Sequence, residues 1–138
     1  MRWSVLLVVA CLAVPVLART QRGTPASPEQ VAALRGKYLV ERVALCGDCH
    51  TPRDAQGRPI ARKALQGAPV EIRPVHAITF AERAPAIAGL PDYTDEQMLT
   101  FLQTGRRPDG SMALPPMPAY RLSSADADAI VAYLKDLR

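Results

Sequence analysis

The segment Cys46-Gly47-Asp48-Cys49-His50 places two thiols and an imidazole within five residues. On one helical turn, the cysteines at i and i+3 share a face, because residues three apart are neighbours on a helix surface. His50 follows directly after this turn. A group bonded to both sulfurs would therefore lie against the helix with the imidazole beside it.

The composition points to a small domain with an unusual core. The chain has 138 residues, of which 49% are apolar and only 5% aromatic, and alanine is the commonest apolar residue. Its thirteen prolines indicate extensive loops. This length excludes two-domain enzymes, repeat solenoids and polytopic membrane proteins. Because bulky side chains are scarce, we expect something other than side chains to fill part of the core.

The pentapeptide has the pattern Cys-x-x-Cys-His, the attachment sequence of c-type haem. The two thiols can bond the two haem vinyl groups, and the neutral imidazole of His50 can bind the iron. A zinc site wants four ligands, and beyond the pentapeptide the mature chain offers His76 and carboxylates. A thioredoxin-like motif should follow a strand, and a disulfide between Cys46 and Cys49 would leave His50 unexplained. We therefore predict one covalently bound haem c at Cys46, Cys49 and His50.

The first 18 residues have the features of a secretory signal peptide. Arg2 supplies a positive charge, an apolar run follows, and Val16-Leu17-Ala18 offers small side chains for cleavage after Ala18. The alternative is an uncleaved anchor, but the apolar segment contains a proline and is shorter than the ~20 residues of a spanning helix.

The chain is therefore predicted to have three parts. Residues 1–18 are predicted to be a cleaved signal peptide, residues 19–26 a flexible leader, and residues 27–138 the folded domain. The domain is expected in the periplasm, with no membrane span after signal cleavage. Export also argues against a nucleic-acid partner.

The first helix is predicted over residues 28–45. Ser27 and Gln30 form a capping box at its start. Apolar residues then recur at i, i+3 and i+7 with two more adjoining, which predicts an amphipathic helix with these residues on its apolar face: Val31, Leu34, Tyr38, Leu39 and Val43. Gly36 lies inside this helix. We expect another helix to cross closely there, because glycine has no side chain to keep the two backbones apart.

Two further helices are predicted. Thr94 and Gln97 form a second capping box, and Gly105 ends that helix. Ser123 or Ser124 caps the last helix, which runs to the end of the chain. Between residues 51 and 93 the chain is rich in proline and shows no strand pattern, with a short helical turn expected over 81–88. The predicted fold class is therefore all-α, with three main helices and long loops around the haem.

The sixth iron ligand has four candidates. Met98 lies on an apolar helix face and is interpreted as core packing, and Met112 lies on a loop beside Gly110. Met117 lies between prolines just before the last helix, where the backbone is stiff. Met117 is favoured because a weak thioether ligand needs a site that is ordered before it binds. Met112 and His76 stay open as alternatives.

Basic residues form two groups. Four of them lie within residues 50–63, where Asp54 is the one acidic residue, and Arg106 and Arg107 form a second group. Solvated surface charge is the default interpretation. The functional alternatives are pairing with haem propionates and steering toward an acidic partner.

Over about residues 30–137 the sequence resembles the class I c-type cytochromes, and more narrowly the small cytochromes that accompany periplasmic alcohol and aldehyde dehydrogenases. The resemblance rests on short segments spread along the chain: Gly36 to Val40, Cys46 to Asp54, Tyr93 to Gln97, Thr104 to Gly110, Pro116 to Pro118 and Asp128 to Leu134.

The resemblance implies a small helical fold around one haem, with His50 and Met117 as axial ligands and the first helix packed on the last near Gly36. It also implies an electron carrier rather than an enzyme. Such a carrier cycles between Fe(II) and Fe(III), takes electrons from a dehydrogenase and passes them to an oxidase or another cytochrome of a respiratory chain. The alternative is a haem enzyme or gas sensor in which Met117 does not bind.

Overall fold

The structure is a computed structural model that describes residues 25–137. The predicted signal peptide, residues 1–18, and most of the predicted leader lie outside the described residues, so these boundaries stay predictions. In the part of the chain that is described, no helix is both long and apolar enough to cross a membrane.

Helices are the main regular elements of the described residues, but more than half of these residues lie in loops and turns, so the all-α prediction is supported only in part. Helix α1 spans Pro28–Tyr38 and continues as a π-helical turn over Leu39–Val43. The remaining elements follow in chain order: a one-turn helix α2 at Gly47–His50, a 3-10 turn at Ala61–Lys63, strand β1 at Ala68–Pro69, strand β2 at Arg83–Ala84, helix α3 at Asp95–Thr104 and helix α4 at Ser124–Asp136.

The predicted helix starts are confirmed. The Ser27 hydroxyl accepts a hydrogen bond from the Gln30 backbone N–H, and the Gln30 side chain accepts one from the Ser27 backbone. Thr94 and Gln97 form the same reciprocal pair at α3. Ser123 caps α4. In each case a side-chain oxygen satisfies a backbone donor that the first helical turn leaves unpaired.

The predicted apolar face of the first helix is wrong for four of its five residues, and only Leu39 is buried. Val31 and Leu34 are 55% and 64% exposed, and Tyr38 is also exposed. The buried positions are Gly36 and, in the π-helical turn, Leu39 and Val40. The helix is rotated in this way because its glycine, rather than its larger apolar residues, faces α4.

Gly36 lies at the crossing of α1 and α4, as predicted. A Cβ built at Gly36 would overlap the carbonyl of Ala129 and would lie 2.8 Å from the Cβ of Tyr133. The two backbones therefore touch at this point, and Gly36 permits their approach. The expectation that the first helix packs on the last near Gly36 is confirmed.

The core lies between α1, α3 and α4 and consists of aliphatic side chains and one methionine. Val40, Ile130 and Leu134 are among its most buried members, at 1% to 2% exposure. The buried cluster consists of Leu39, Val40, Leu65, Leu90, Met98, Leu102, Ala127, Ala129, Ile130, Val131 and Leu134. Met98 is a core residue, as its position on the apolar face of α3 predicts.

The expectation of a chain without strands is wrong. Strands β1 and β2 form a two-residue antiparallel pair, with Ala68 opposite Ala84 and Pro69 opposite Arg83. The helical turn expected over residues 81–88 is also wrong, because β2 occupies that segment. Ala84 precedes Pro85, and a residue before proline is driven out of the helical region toward an extended backbone.

The close crossing at Gly36 can be tested by whether Gly36→Ala raises or lowers the free energy of unfolding. Replacing glycine by alanine in an open helix should stabilise the protein by about 1 kcal/mol. At this crossing we expect Gly36→Ala instead to lower the free energy of unfolding of the haem-loaded protein by about 2 kcal/mol or more, because the helices must move apart. Denaturant titration measures the difference. Lys37→Ala, on the exposed side of the same helix, should change stability by less than about 0.5 kcal/mol. A stabilised Gly36→Ala protein would contradict the close crossing.

Candidate haem-binding site

An apolar cleft lies beside the core. It contains about 1100 Å³ of empty space, part of it open to solvent. The residues lining it include all four that the sequence analysis assigns to the haem: Cys46, Cys49, His50 and Met117.

A left-handed residue positions the pentapeptide. Leu45 has a φ of 52°, which ends the preceding π-helical turn and reverses the chain. The Cys46 backbone N–H then bonds back to the carbonyl of Val40 at 3.0 Å. Within α2 the His50 N–H bonds to the Cys46 carbonyl at 2.9 Å, so the pentapeptide forms one helical turn.

The two cysteines differ in environment. Cys46 is half-buried and Cys49 is exposed. Burial raises the pKa of the Cys46 thiol to about 11, with a smaller contribution in the same direction from Cys49. Cys46 therefore lies on the inner side of the turn and Cys49 at its outer edge.

His50 is held in one orientation. Its side chain is buried, at 5% exposure, and its Nδ1–H donates to the carbonyl oxygen of Pro85 at 2.7 Å. This hydrogen bond leaves Nε2 as the nitrogen with a free lone pair. Burial lowers the pKa of His50, and the hydrogen bond to Pro85 opposes this shift only in part. The neutral imidazole, which is the form that binds metals, is therefore favoured.

The Pro85 carbonyl is positioned through Gly67. The Gly67 N–H bonds to the His50 carbonyl at 2.8 Å, which ties this turn to the end of α2. Gly67 has a φ of +83°, and a Cβ built there would lie 2.9 Å from the backbone nitrogen of Ala86. Only glycine combines this backbone conformation with so close an approach. The segment after β2 is thereby packed against the histidine.

Met117 lies in a turn that is bonded to two other segments. Its N–H bonds to the Leu114 carbonyl at 3.1 Å within the turn. The Ala81 N–H donates to the Pro115 carbonyl at 2.8 Å. Tyr120, three residues after Met117, donates its hydroxyl to the Ala44 carbonyl at 3.0 Å. The residues on either side of Met117 are therefore bonded to the segment just before β2 and to the segment before Cys46.

The other candidate ligands are placed differently. Met112 is 41% exposed and His76 is exposed, and neither lines the cleft. Met98 lines the cleft from the core side. Within residues 25–137 the structure therefore brings Met98 and Met117, but not Met112 or His76, to the cleft that contains His50.

The basic residues also separate into distinct environments. Arg58 pairs with Asp54 at 2.9 Å, and Arg106 donates to the carbonyl of Gly110. Of the arginines that the structure describes, Arg83 and Arg107 line the cleft. Arg107 belongs to one of the basic groups found in the sequence, whereas Arg83 does not. No sequence pattern marks Arg83, because it belongs to a strand of only two residues.

Two thiols on one turn, an oriented neutral imidazole and a thioether around an apolar cleft are a donor set that suits haem c. The residues present therefore fit this cofactor. A small domain with such a site is a c-type cytochrome domain.

A known protein family with this kind of domain matches the chain. The chain belongs to the family described as cytochrome C oxidase, cbb3-type, subunit III, whose model matches residues 31–134.

Individual relatives are longer cytochromes. The chain is similar to the fructose dehydrogenase cytochrome subunit of Gluconobacter japonicus, with 33% identity over 75% of this chain and 21% of the relative. It is 35% identical to a diheme cytochrome c-type protein of Cereibacter sphaeroides, over 73% of this chain and 34% of the relative. The gluconate 2-dehydrogenase cytochrome c subunit of Pantoea cypripedii is 32% identical over 82% and 28%. The chain thus spans between about a fifth and a third of these relatives.

The hydrogen bond from Tyr120 can be tested directly. Tyr120→Phe removes the donor to the Ala44 carbonyl, so we expect the free energy of unfolding of the haem-loaded protein to fall by about 1 kcal/mol. The matched control is Tyr38→Phe, because the Tyr38 side chain is exposed and its hydroxyl bonds to no other described residue. Denaturant titration of both variants should show a loss only for Tyr120→Phe. Equal effects would contradict the role assigned to this contact.

Proposed function

We propose that this protein is a periplasmic electron carrier that binds one haem c and transfers single electrons from a dehydrogenase to a respiratory acceptor. The observation that carries this proposal is the convergence of Cys46, Cys49, His50 and Met117 on one apolar cleft. When bound, the haem supplies an iron that cycles between Fe(II) and Fe(III).

Each residue has a separate role. Cys46 and Cys49 form the two thioether bonds that attach the haem. The Nε2 atom of His50 binds the iron, because Nδ1 is already bonded to Pro85. The Met117 sulfur would be the second protein ligand of the iron. Two protein ligands would leave no open position for a substrate, and methionine with histidine raises the reduction potential relative to two histidines.

One haem is proposed because the sequence contains one Cys-x-x-Cys-His segment. A dehydrogenase is proposed as the electron donor because relatives are named as cytochrome subunits of fructose, gluconate and alcohol dehydrogenases. The acceptor is proposed to be an oxidase or another cytochrome.

The sixth ligand distinguishes a carrier from a haem enzyme or gas sensor. Ferric Met117→Ala is expected to lose the weak red absorption band of methionine-ligated iron and to bind carbon monoxide rapidly once reduced, because its sixth position is open. Met112→Ala is the matched control and should keep the band, since Met112 does not line the cleft. Rapid carbon monoxide binding by the unaltered protein at neutral pH would favour the open-site alternative.

Export and haem attachment can be tested on one preparation. In a bacterium that matures c-type cytochromes, the protein is expected in the periplasmic fraction released by osmotic shock, with Arg19 as its first residue. The intact mass should equal residues 19–138 plus one haem. Cys46→Ala/Cys49→Ala serves as the control for attachment. A colourless protein with the unmodified mass would overturn the proposed function.

A further inference from the structure

The charges around the cleft are unbalanced. Its lining contains the cationic side chains Arg83 and Arg107 together with the imidazole of His50, and no carboxylate of residues 25–137 lines it. Most other lining residues are apolar. Such a cleft is suited to a ligand that has an apolar body and an anionic group, because a cation beside an apolar wall is costly unless it is paired.

Arg107 is the more enclosed of the two arginines, half-buried where Arg83 is exposed. A tight turn fixes its backbone: the Arg107 N–H donates to the Ser111 carbonyl at 2.8 Å, and the Gly110 N–H donates to the Arg107 carbonyl at 2.9 Å. The guanidinium itself makes no hydrogen bond or ion pair with any other residue that the structure describes. A positioned cation therefore faces the cleft without an anion.

Tyr93 adds a second donor. It lines the same cleft, is half-buried, and its hydroxyl is bonded to no other residue within 25–137. Burial raises the pKa of Tyr93, and the nearby positive charge of Arg107 opposes this shift, while Asp109 and Asp92 add to it. The structure therefore places a cationic side chain and a hydroxyl donor in the lining of one cleft.

Asp109 is a competitor for the Arg107 charge, because the hydrogen bonds from Ser111 lower the pKa of Asp109 most and Arg107 lowers it further. Its carboxylate, however, accepts hydrogen bonds from the Ser111 backbone N–H at 2.9 Å and from the Ser111 hydroxyl at 2.7 Å. It forms no ion pair with Arg107 and does not line the cleft. Asp109 thus stabilises the turn that carries Arg107, and the guanidinium stays available to a ligand.

We propose that the Arg107 guanidinium and the Tyr93 hydroxyl form a carboxylate-binding subsite in the wall of the cleft and bind one propionate of the haem. This assignment rests on the proposed function, since it needs the haem in the cleft. Arg107 and Tyr93 act as positioning residues. The Arg107 charge also favours the reduced state, because a nearby cation opposes the extra positive charge of ferric iron.

The neighbouring arginine provides a matched control. Arg106→Gln and Arg107→Gln remove the same charge from adjacent positions of one loop, but Arg106 does not line the cleft. Both haem-loaded variants are compared with the unaltered protein by resonance Raman spectroscopy of the propionate bending modes and by redox titration. We expect Arg107→Gln to shift a propionate mode and to lower the midpoint potential, and Arg106→Gln to change neither. Arg107→Lys, which keeps the charge, should restore most of the potential.

The outcomes separate the two proposals. If the unaltered protein has covalent haem and methionine ligation but the propionate modes of Arg107→Gln coincide with those of Arg106→Gln, the subsite is wrong and the proposed function stands. If the unaltered protein carries no haem, the proposed function itself fails. Should Arg107→Gln not mature, Tyr93→Phe takes its place: a shifted propionate mode supports the subsite, and an unshifted mode overturns it.

Discussion

The hydrogen bond from His50 to the Pro85 carbonyl is the contact on which the site depends. It joins the end of the pentapeptide to a segment 35 residues further along the chain. In metal sites such a contact to the second ring nitrogen selects the tautomer and orients the ligating one. The short β1–β2 pair and the close packing at Gly67 serve this contact, because together they bring the Pro85 backbone against a buried imidazole.

The core and the cleft share a wall. Met98, Leu102, Ile130 and Leu134 belong to the buried cluster and also line the cleft. These side chains thus contact the rest of the core on one side and a ligand on the other. A large apolar cofactor would complete this core, which accounts for the scarcity of aromatic residues in the sequence.

Features that depend on neighbouring residues could be predicted from the sequence. Capping boxes at Ser27 and Thr94, the pentapeptide and the glycine crossing depend on neighbouring residues or on one special residue, and they are found where expected. The buried face of α1 is different, because it depends on which side of the helix approaches α4. The partner of His50 is a backbone carbonyl, and every residue has one, so no side-chain pattern identifies Pro85. Likewise, sequence alone does not separate Arg106 from Arg107, of which only Arg107 lines the cleft.

The way Met117 is held bears on the choice between a carrier and an enzyme. A thioether is a weak iron ligand, so its segment must be ordered before the bond forms. Two hydrogen bonds supply this order, from Ala81 to the Pro115 carbonyl and from Tyr120 to the Ala44 carbonyl. One ties the methionine turn to the β2 segment that also orients His50, and the other ties it to the residues before Cys46. Because both ligand-bearing segments are fixed to the same frame, iron bound between them would undergo little rearrangement when its charge changes, as rapid electron transfer requires.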